Sequence, residues 1–187
     1  GIPTSRFVIL DRSDDLAKIE DFKFPLVVKP VDCNSSKGVV RVADDQELKL
    51  ALEKAIGFSR TGTAVVEEFK EGVEVSADFY VQDGKAIYLS ATSSLKIRNR
   101  KSFTIMSSVY PVVDDAQKLR ITEIASQIAS AFGLNNCPLL IQMIVGKDDI
   151  NVIEFSARMG GGSKYYLIQV LSGVDIMSRY VDLILGG

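Results

Sequence analysis

Gln142 and Glu154 stand twelve residues apart, the first inside the apolar run at 139–145, the second opening Glu154-Phe155-Ser156-Ala157-Arg158. The residues between them, Gly146-Lys147-Asp148-Asp149, read as a hairpin turn, and a turn centred on Asp148 sets Gln142 opposite Glu154. Strand alternation then adds Ser156 and Arg158 to the same face and sends Ile153, Phe155 and Ala157 to the other. One side of such a ribbon packs, while the other carries oxygen donors and a cation. That face suits Mg²⁺ and phosphate, because magnesium takes hard oxygen ligands and leaves part of its shell to water and nucleotide phosphates. The same residues equally suit the solvated face of a half-buried sheet.

Three further groups carry chemistry. Lys29 ends the apolar stretch Pro25-Leu26-Val27-Val28-Lys29, just before the polar loop Asp32-Cys33-Asn34-Ser35-Ser36-Lys37-Gly38. A cation held there suits a nucleotide phosphate, and a snorkelling surface lysine explains it as well. The loop has hydroxyls and a glycine but neither the Walker A spacing nor the dinucleotide glycine fingerprint. Glu67 and Glu68 follow another apolar stretch, and Glu74 comes after Gly72. Ionised carboxylates only accept hydrogen bonds, so these suit the amine of a base and the hydroxyls of a sugar, or simply a solvated acidic turn.

The elements that must position these groups follow from periodicity. A short helix is expected over residues 14–22, a strand over 25–29 that Pro30 stops, a strand over 39–42, and a helix over 45–56 with Leu48, Ala51, Leu52 and Ala55 on one face. Strands are expected at 64–69, 73–81, 86–92 and 103–112, with Asp83-Gly84 as a hairpin turn and antiparallel pairing. The clearest helix spans 114–132, with Gly133 as its stop, and two more follow, one after Gly160-Gly161-Gly162 and one over 174–185 beginning near Asp175.

Composition narrows the function. The chain has 187 residues, is 47% hydrophobic and 25% charged, and carries a formal net charge of −2. A dispersed, nearly balanced charge offers no footprint for nucleic acid or an anionic membrane, and no apolar stretch is long enough for a bilayer span, so a cytoplasmic location is expected. Without histidine, Ser-His, Cys-His and His-metal chemistry is excluded. Cys33 and Cys137 match no zinc spacing; Cys33 reads as a reactive thiol or as an incidental small residue.

Taken in order, Lys29 and its Ser/Gly loop, Val65-Val66-Glu67-Glu68-Phe69 with Gly72 and Glu74, then Gln142 and Val152-Ile153-Glu154-Phe155-Ser156-Ala157-Arg158, strongly resemble the ATP-grasp superfamily over nearly the whole chain. The resemblance implies an α+β fold of two subdomains, antiparallel sheets enclosing a nucleotide cleft, with residues 1–69 as the small lid subdomain and 70–187 as the C-terminal subdomain. It also implies the cofactors ATP and Mg²⁺ (or Mn²⁺). Lys29 would meet the α-phosphate, while Ser35, Ser36 and Gly38 cover the phosphates. Glu67 would receive the adenine amine, the backbone of Glu68, Phe69 and Lys70 would line the base edge, and Glu74 would hold the ribose. Gln142, Glu154 and Ser156 would bind metal, and Arg158 would face the transferring phosphate. Gln142 is also similar to the choice in carbamoyl-phosphate synthetase large subunits.

The activity implied is that of an ADP-forming, carbon–nitrogen bond-forming ligase, acting on small-molecule carboxylate and amine substrates through an acyl-phosphate. The family's N-terminal domain would precede Gly1, so the isolated chain is expected to be inactive, and a homodimer is compatible with the resemblance. Ser156 stands where the family usually has asparagine, which keeps a decayed nucleotide-binding or regulatory module open beside the ligase. Part of a carbamoyl-phosphate-forming or carboxylating enzyme stays open too. Lys96, Arg98, Arg100 and Lys101 form a basic cluster that suits a phosphate or a mobile solvated loop. The glycine tract at 160–162, at a helix start, resembles that of peptide-forming amino-acid ligases and would offer N–H groups to a carboxylate.

Overall fold

The computed structural model describes residues 1–12, 16–34, 36–96 and 105–186. It divides into two compact units, one of Ser5–Lys70 and one of Gly1–Thr4 with Glu71–Gly187. Ser35, Arg98, Arg100 and Lys101 lie outside the described residues, as do positions 14 and 15 of the first expected helix. What is described of that helix is a single 3-10 turn, Leu16–Ile19.

The unit of Ser5–Lys70 is a four-stranded antiparallel sheet with one helix. Its strands are β1 (Phe7–Leu10), β2 (Leu26–Pro30), β3 (Val40–Val42) and β4 (Ala64–Glu68), arranged β1-β4-β2-β3. β1 was not expected from the sequence; it is a four-residue edge strand whose alternation barely shows, with only Leu10 fully buried. β2 ends at Pro30, one residue later than expected, with Pro30 opposite Ala64; proline is tolerated as a terminal residue because only one ladder donor is lost. Helix α1 (Asp45–Phe58) starts where the Asp44 carboxylate accepts from the Glu47 N–H at 2.9 Å. It buries Leu48, Ala51 and Ala55 against Leu26, Val28 and Val66. Core residues therefore occupy one face of β2 and β4, and Val27, Lys29, Val65 and Glu67 project from the other.

The second unit holds a five-stranded antiparallel sheet ordered β7-β6-β5-β8-β9. Its strands are β5 (Val73–Gln82), β6 (Lys85–Lys96), β7 (Ile105–Val109), β8 (Cys137–Val145) and β9 (Ile150–Ser156). β7 ends at Val109, short of the expected 112. Helix α2 (Asp115–Ala131) opens on a full capping box, Asp114 with Gln117, and lays Ile121, Ile124, Ala125 and Ile128 on the face carrying Val75, Ala77, Phe79, Ile141 and Met143. Helices α3 (Lys164–Ser172) and α4 (Ile176–Leu185) join the sheet through a smaller cluster of Leu89, Ile168 and Ile176. Gly72 shows why this position is glycine: its φ is +151°, and a Cβ would sit 2.6 Å from the Val145 carbonyl.

The hairpin of β8 and β9 pairs Gln142 with Glu154, as expected, although its register is not that of a simple turn centred on Asp148. Val145 pairs with Ile150, Met143 with Val152, and the register then shifts, leaving Ile153 as an extra residue. The expected faces of Glu154, Ser156 and Phe155 hold, and the bulge is what brings Glu154 rather than Ile153 opposite Gln142. A bulge adds one residue to one strand and re-aims the side chains beyond it, so Val152 and Phe155 both pack on the core although their separation is odd. Glu154 and Ser156 are carried to the other face, beside Gln142. The strand also ends at Ser156, so Ala157 and Arg158 do not continue the alternation.

Candidate functional site

Across the sheet, register aligns Thr92 of β6 with Ser76 of β5, Ser76 with Gln142 of β8, and Gln142 with Glu154 of β9. Opposed residues share a face, so four hydrogen-bonding side chains form one row across four strands. The next row contains Ser90, Asp78, Leu140 and Ser156. Glu74 lies one step the other way, opposite Ile144. Half of this polar face is closed: Thr92, Ser90 and Asp78 are 0%, 1% and 2% exposed. Gln142 is half-buried and Glu154 exposed, so the row opens toward β9.

The closed half contains an ion pair. Lys164 Nζ lies 2.9 Å from Asp78 Oδ2 and donates to Ser76 Oγ at 2.9 Å and to the Ser76 carbonyl at 3.3 Å. Asp78 also accepts from Ser90 Oγ at 3.3 Å and from the Gly160 N–H at 3.0 Å. A charge this deep needs both a counterion and hydrogen bonds, and here it has them. Thr92 Oγ1 is the one buried side-chain atom without a partner among the described residues. Sequence reasoning missed Asp78 and Lys164. The available signal was a carboxylate inside the buried run Val75-Ser76-Ala77-Asp78-Phe79, which a chain can bury only with a cation.

In the unit of Ser5–Lys70, Lys29 Nζ lies 3.0 Å from both carboxylate oxygens of Glu67. Val27 is the residue directly opposite Glu67, so Lys29 reaches it diagonally on the face away from the core. Glu68 pairs with Lys70 at 3.9 Å, and the Arg41 guanidinium stacks 4.4 Å from the Phe69 ring. The N–H groups of Glu68 and Phe69 are donated to the carbonyls of Arg6 and Pro25 at 3.0 and 3.1 Å. In the backbone of Glu68, Phe69 and Lys70, expected along a base edge, the N–H of Lys70 is the one with no such bond among the described residues. In the loop, Ser36 takes φ +55° and Gly38 φ +77°, and a Cβ on Gly38 would press on Pro30 and Phe58 at 2.8 and 2.9 Å. Next to it, Asp32 accepts from the Arg60 and Thr61 N–H groups. Desolvation is the largest single influence and raises its carboxyl, but the bonds from Ser59, Arg60 and Thr61 and the charge of Arg60 together outweigh it and lower the carboxyl below its ordinary value.

Arg158 is exposed, and its Nη1 donates to the Met159 carbonyl at 2.8 Å. The glycine tract does not present all its N–H groups to a ligand, since that of Gly160 is taken by Asp78. Gln142, Glu154 and Ser156 supply hard oxygens from neighbouring rows, and neither Glu154 nor Ser156 has a side-chain partner among the described residues. No group of three or more His, Cys, Asp and Glu gathers anywhere among those residues. A donor set so sparse and all-oxygen fits Mg²⁺ or Mn²⁺, with much of the shell left to phosphate and water, rather than a metal that seeks nitrogen or sulfur ligands.

The model of the ATP-grasp domain family matches residues 22–165. The chain belongs to the ATP-grasp family. All of the chain aligns with the phosphoribosylamine–glycine ligase of Lactococcus lactis at 27% identity, covering 48% of that protein. The crystal structure of an L-amino acid ligase from Bacillus licheniformis superposes with a TM-score of 0.76 at 27% identity, covering 94% of this chain and 42% of that one. A biotin carboxylase complex from Campylobacter jejuni shares the fold at a TM-score of 0.82 and 18% identity, with 97% and 42% covered. The chain thus spans about half the length of that Lactococcus lactis ligase and less of the two crystal chains. Among the described residues no helix is long and apolar enough to cross a membrane.

Proposed function

We propose that this ATP-grasp domain binds MgATP for a ligase that activates a small-molecule carboxylate as an acyl-phosphate, releases ADP and lets an amine displace the phosphate. The observation that carries the proposal is the row Ser76–Gln142–Glu154, closed at Ser76, where Lys164 donates, and ending in an exposed carboxylate. Gln142, Glu154 and Ser156 would hold the metal, which when bound offsets charge on the phosphates. Ser156 offers one hydroxyl oxygen, so its share of the shell is small.

Lys29 serves the α-phosphate and stays paired with Glu67, whose remaining lone pairs accept the adenine amine. Lys70 donates its N–H to the base edge, the Glu68 and Phe69 N–H groups being committed to the fold. Glu74 accepts from the ribose, and Ser35, Ser36 and Gly38 cover the phosphates. Arg158 faces the phosphoryl group in flight, where a fixed cation stabilises spreading charge. The L-amino acid ligase of Bacillus licheniformis supports amino-acid-like substrates and carbon–nitrogen bond formation. The test is ADP release by the protein carrying this chain, in hydroxylamine with pooled amino and keto acids. Trapped acyl hydroxamate is expected; nucleotide binding with no hydroxamate from any acid would mark a decayed binding module instead.

A further inference from the structure

The Met159–Gly160 peptide is gripped from both sides. Its N–H points at Asp78 Oδ1, 3.0 Å away, and its carbonyl accepts from Arg158 Nη1 at 2.8 Å. A peptide is planar, so fixing the direction of its N–H fixes its carbonyl on the opposite side. We propose that Asp78, although it does not touch Arg158, is the positioning residue for the Arg158 guanidinium, acting through the plane of this one peptide.

Three features of the site serve that role. Asp78 cannot turn, because Lys164 and Ser90 hold its Oδ2 from α3 and β6 while Oδ1 faces the turn. Gly160 approaches so closely that an added Cβ would run into Lys164 Cδ and lie 2.7 Å from Asp78 Oδ1. Arg158 itself is exposed and is held at one end by its N–H on the Ser156 carbonyl at 2.8 Å. An exposed arginine has many rotamers to lose, and the oriented Met159 carbonyl is the acceptor that selects one. The strand donating Asp78 is also the strand donating Ser76 to the row of Gln142, so one buried pair sets both the row and the cation beyond it.

The functional meaning rests on the proposed role of Arg158 at the phosphoryl group; the geometry does not. The test uses the whole chain labelled with ¹⁵N and two double variants without a stranded buried charge. Asp78→Asn with Lys164→Met keeps an oxygen acceptor for Gly160, whereas Asp78→Leu with Lys164→Met removes it. In the second, exchange of the Gly160 amide should quicken about tenfold or more and the Arg158 Nε resonance should move to a freely rotating value. The first should stay close to the parent, and the amides of Ile141 and Met143 should stay protected in both. Gly160→Ala should free Arg158 in the same way. An Arg158 resonance unchanged in both the Leu/Met variant and Gly160→Ala overturns the proposal. In the hydroxamate assay, Arg158→Ala and the Leu/Met variant should lower kcat with the KM for ATP retained. Full activity of Arg158→Ala would remove the catalytic reading while leaving the resonance result to judge the peptide link.

Discussion

Glu154 is exposed on a strand whose preceding residues, Ile150, Asn151 and Val152, are all buried. Its removal should therefore leave the fold intact and act on chemistry alone. Glu154→Ala is expected to lower hydroxamate formation by about a hundredfold or more, the usual loss for a group that offsets transition-state charge. Unchanged thermal unfolding alongside would separate this from damage to the sheet. Gly72 is the opposite case, with no chemistry and a strict backbone demand. Gly72→Ala should cost about 1–3 kcal/mol in denaturant unfolding, because the added carbon overpacks the Val145 carbonyl and the φ is unfavourable; an unchanged midpoint would contradict the close approach. At this scale the sequence was legible where neighbours lie close along the chain. Gln142 and Glu154 are joined by a short turn, and an apolar run on either side announces it. Asp78 and Lys164 are brought together from distant parts of the chain, and no local period reports such a pair.

Elements were legible in proportion to their local signals. Helix α2 has a capping box, an unbroken apolar face and a glycine after its end, so its limits were read within a residue or so. The strand β1 has none of these, and its fate is decided by pairing with β4, far along the chain. The bulge at Ile153 was invisible because it is a compromise between two demands, burial of Val152 and Phe155 on one face and exposure of Glu154 on the other. Helix α4 offers a pH test. The Ser178 N–H and hydroxyl donate to Asp175 at 3.0 and 2.9 Å, and chiefly through that N–H bond its carboxyl titrates below its ordinary value of 3.8. The unfolded chain then takes up the proton more readily than the folded one. The cap's contribution is complete above pH 3.8 and is lost as pH falls through the lower folded value. Amide protection of α4 in wild type, relative to Asp175→Asn, should be larger at about pH 6 than below about pH 3. A difference that does not change with pH would contradict the assignment.

Among the described residues a small cluster joins Leu89, Ile168 and Ile176, and each sheet has a large core of its own. Phe79 is fully buried in the larger one and meets Tyr88 edge-on, with ring centroids 5.8 Å apart. Phe79→Ala should cost about 3–5 kcal/mol in reversible denaturation, since a cavity forms where the sheet meets α2; a loss below about 1 kcal/mol would mean that the interior collapses to fill it. The family was legible from the order of motifs along the chain: a lysine-bearing strand, an acidic strand end and the hairpin of Gln142 and Glu154. Substrate identity was not legible, since the chain spans about half of the Lactococcus lactis ligase it matches. Whether Gln142 and Glu154 hold the divalent cation of a bound nucleotide is tested most directly by adding Mn²⁺ with ADP to the ¹⁵N-labelled chain and following paramagnetic broadening. The side-chain amide of Gln142 and the backbone amides flanking Glu154 should vanish first, and should survive in Glu154→Gln. Broadening centred elsewhere, or equal in both proteins, would contradict the claim.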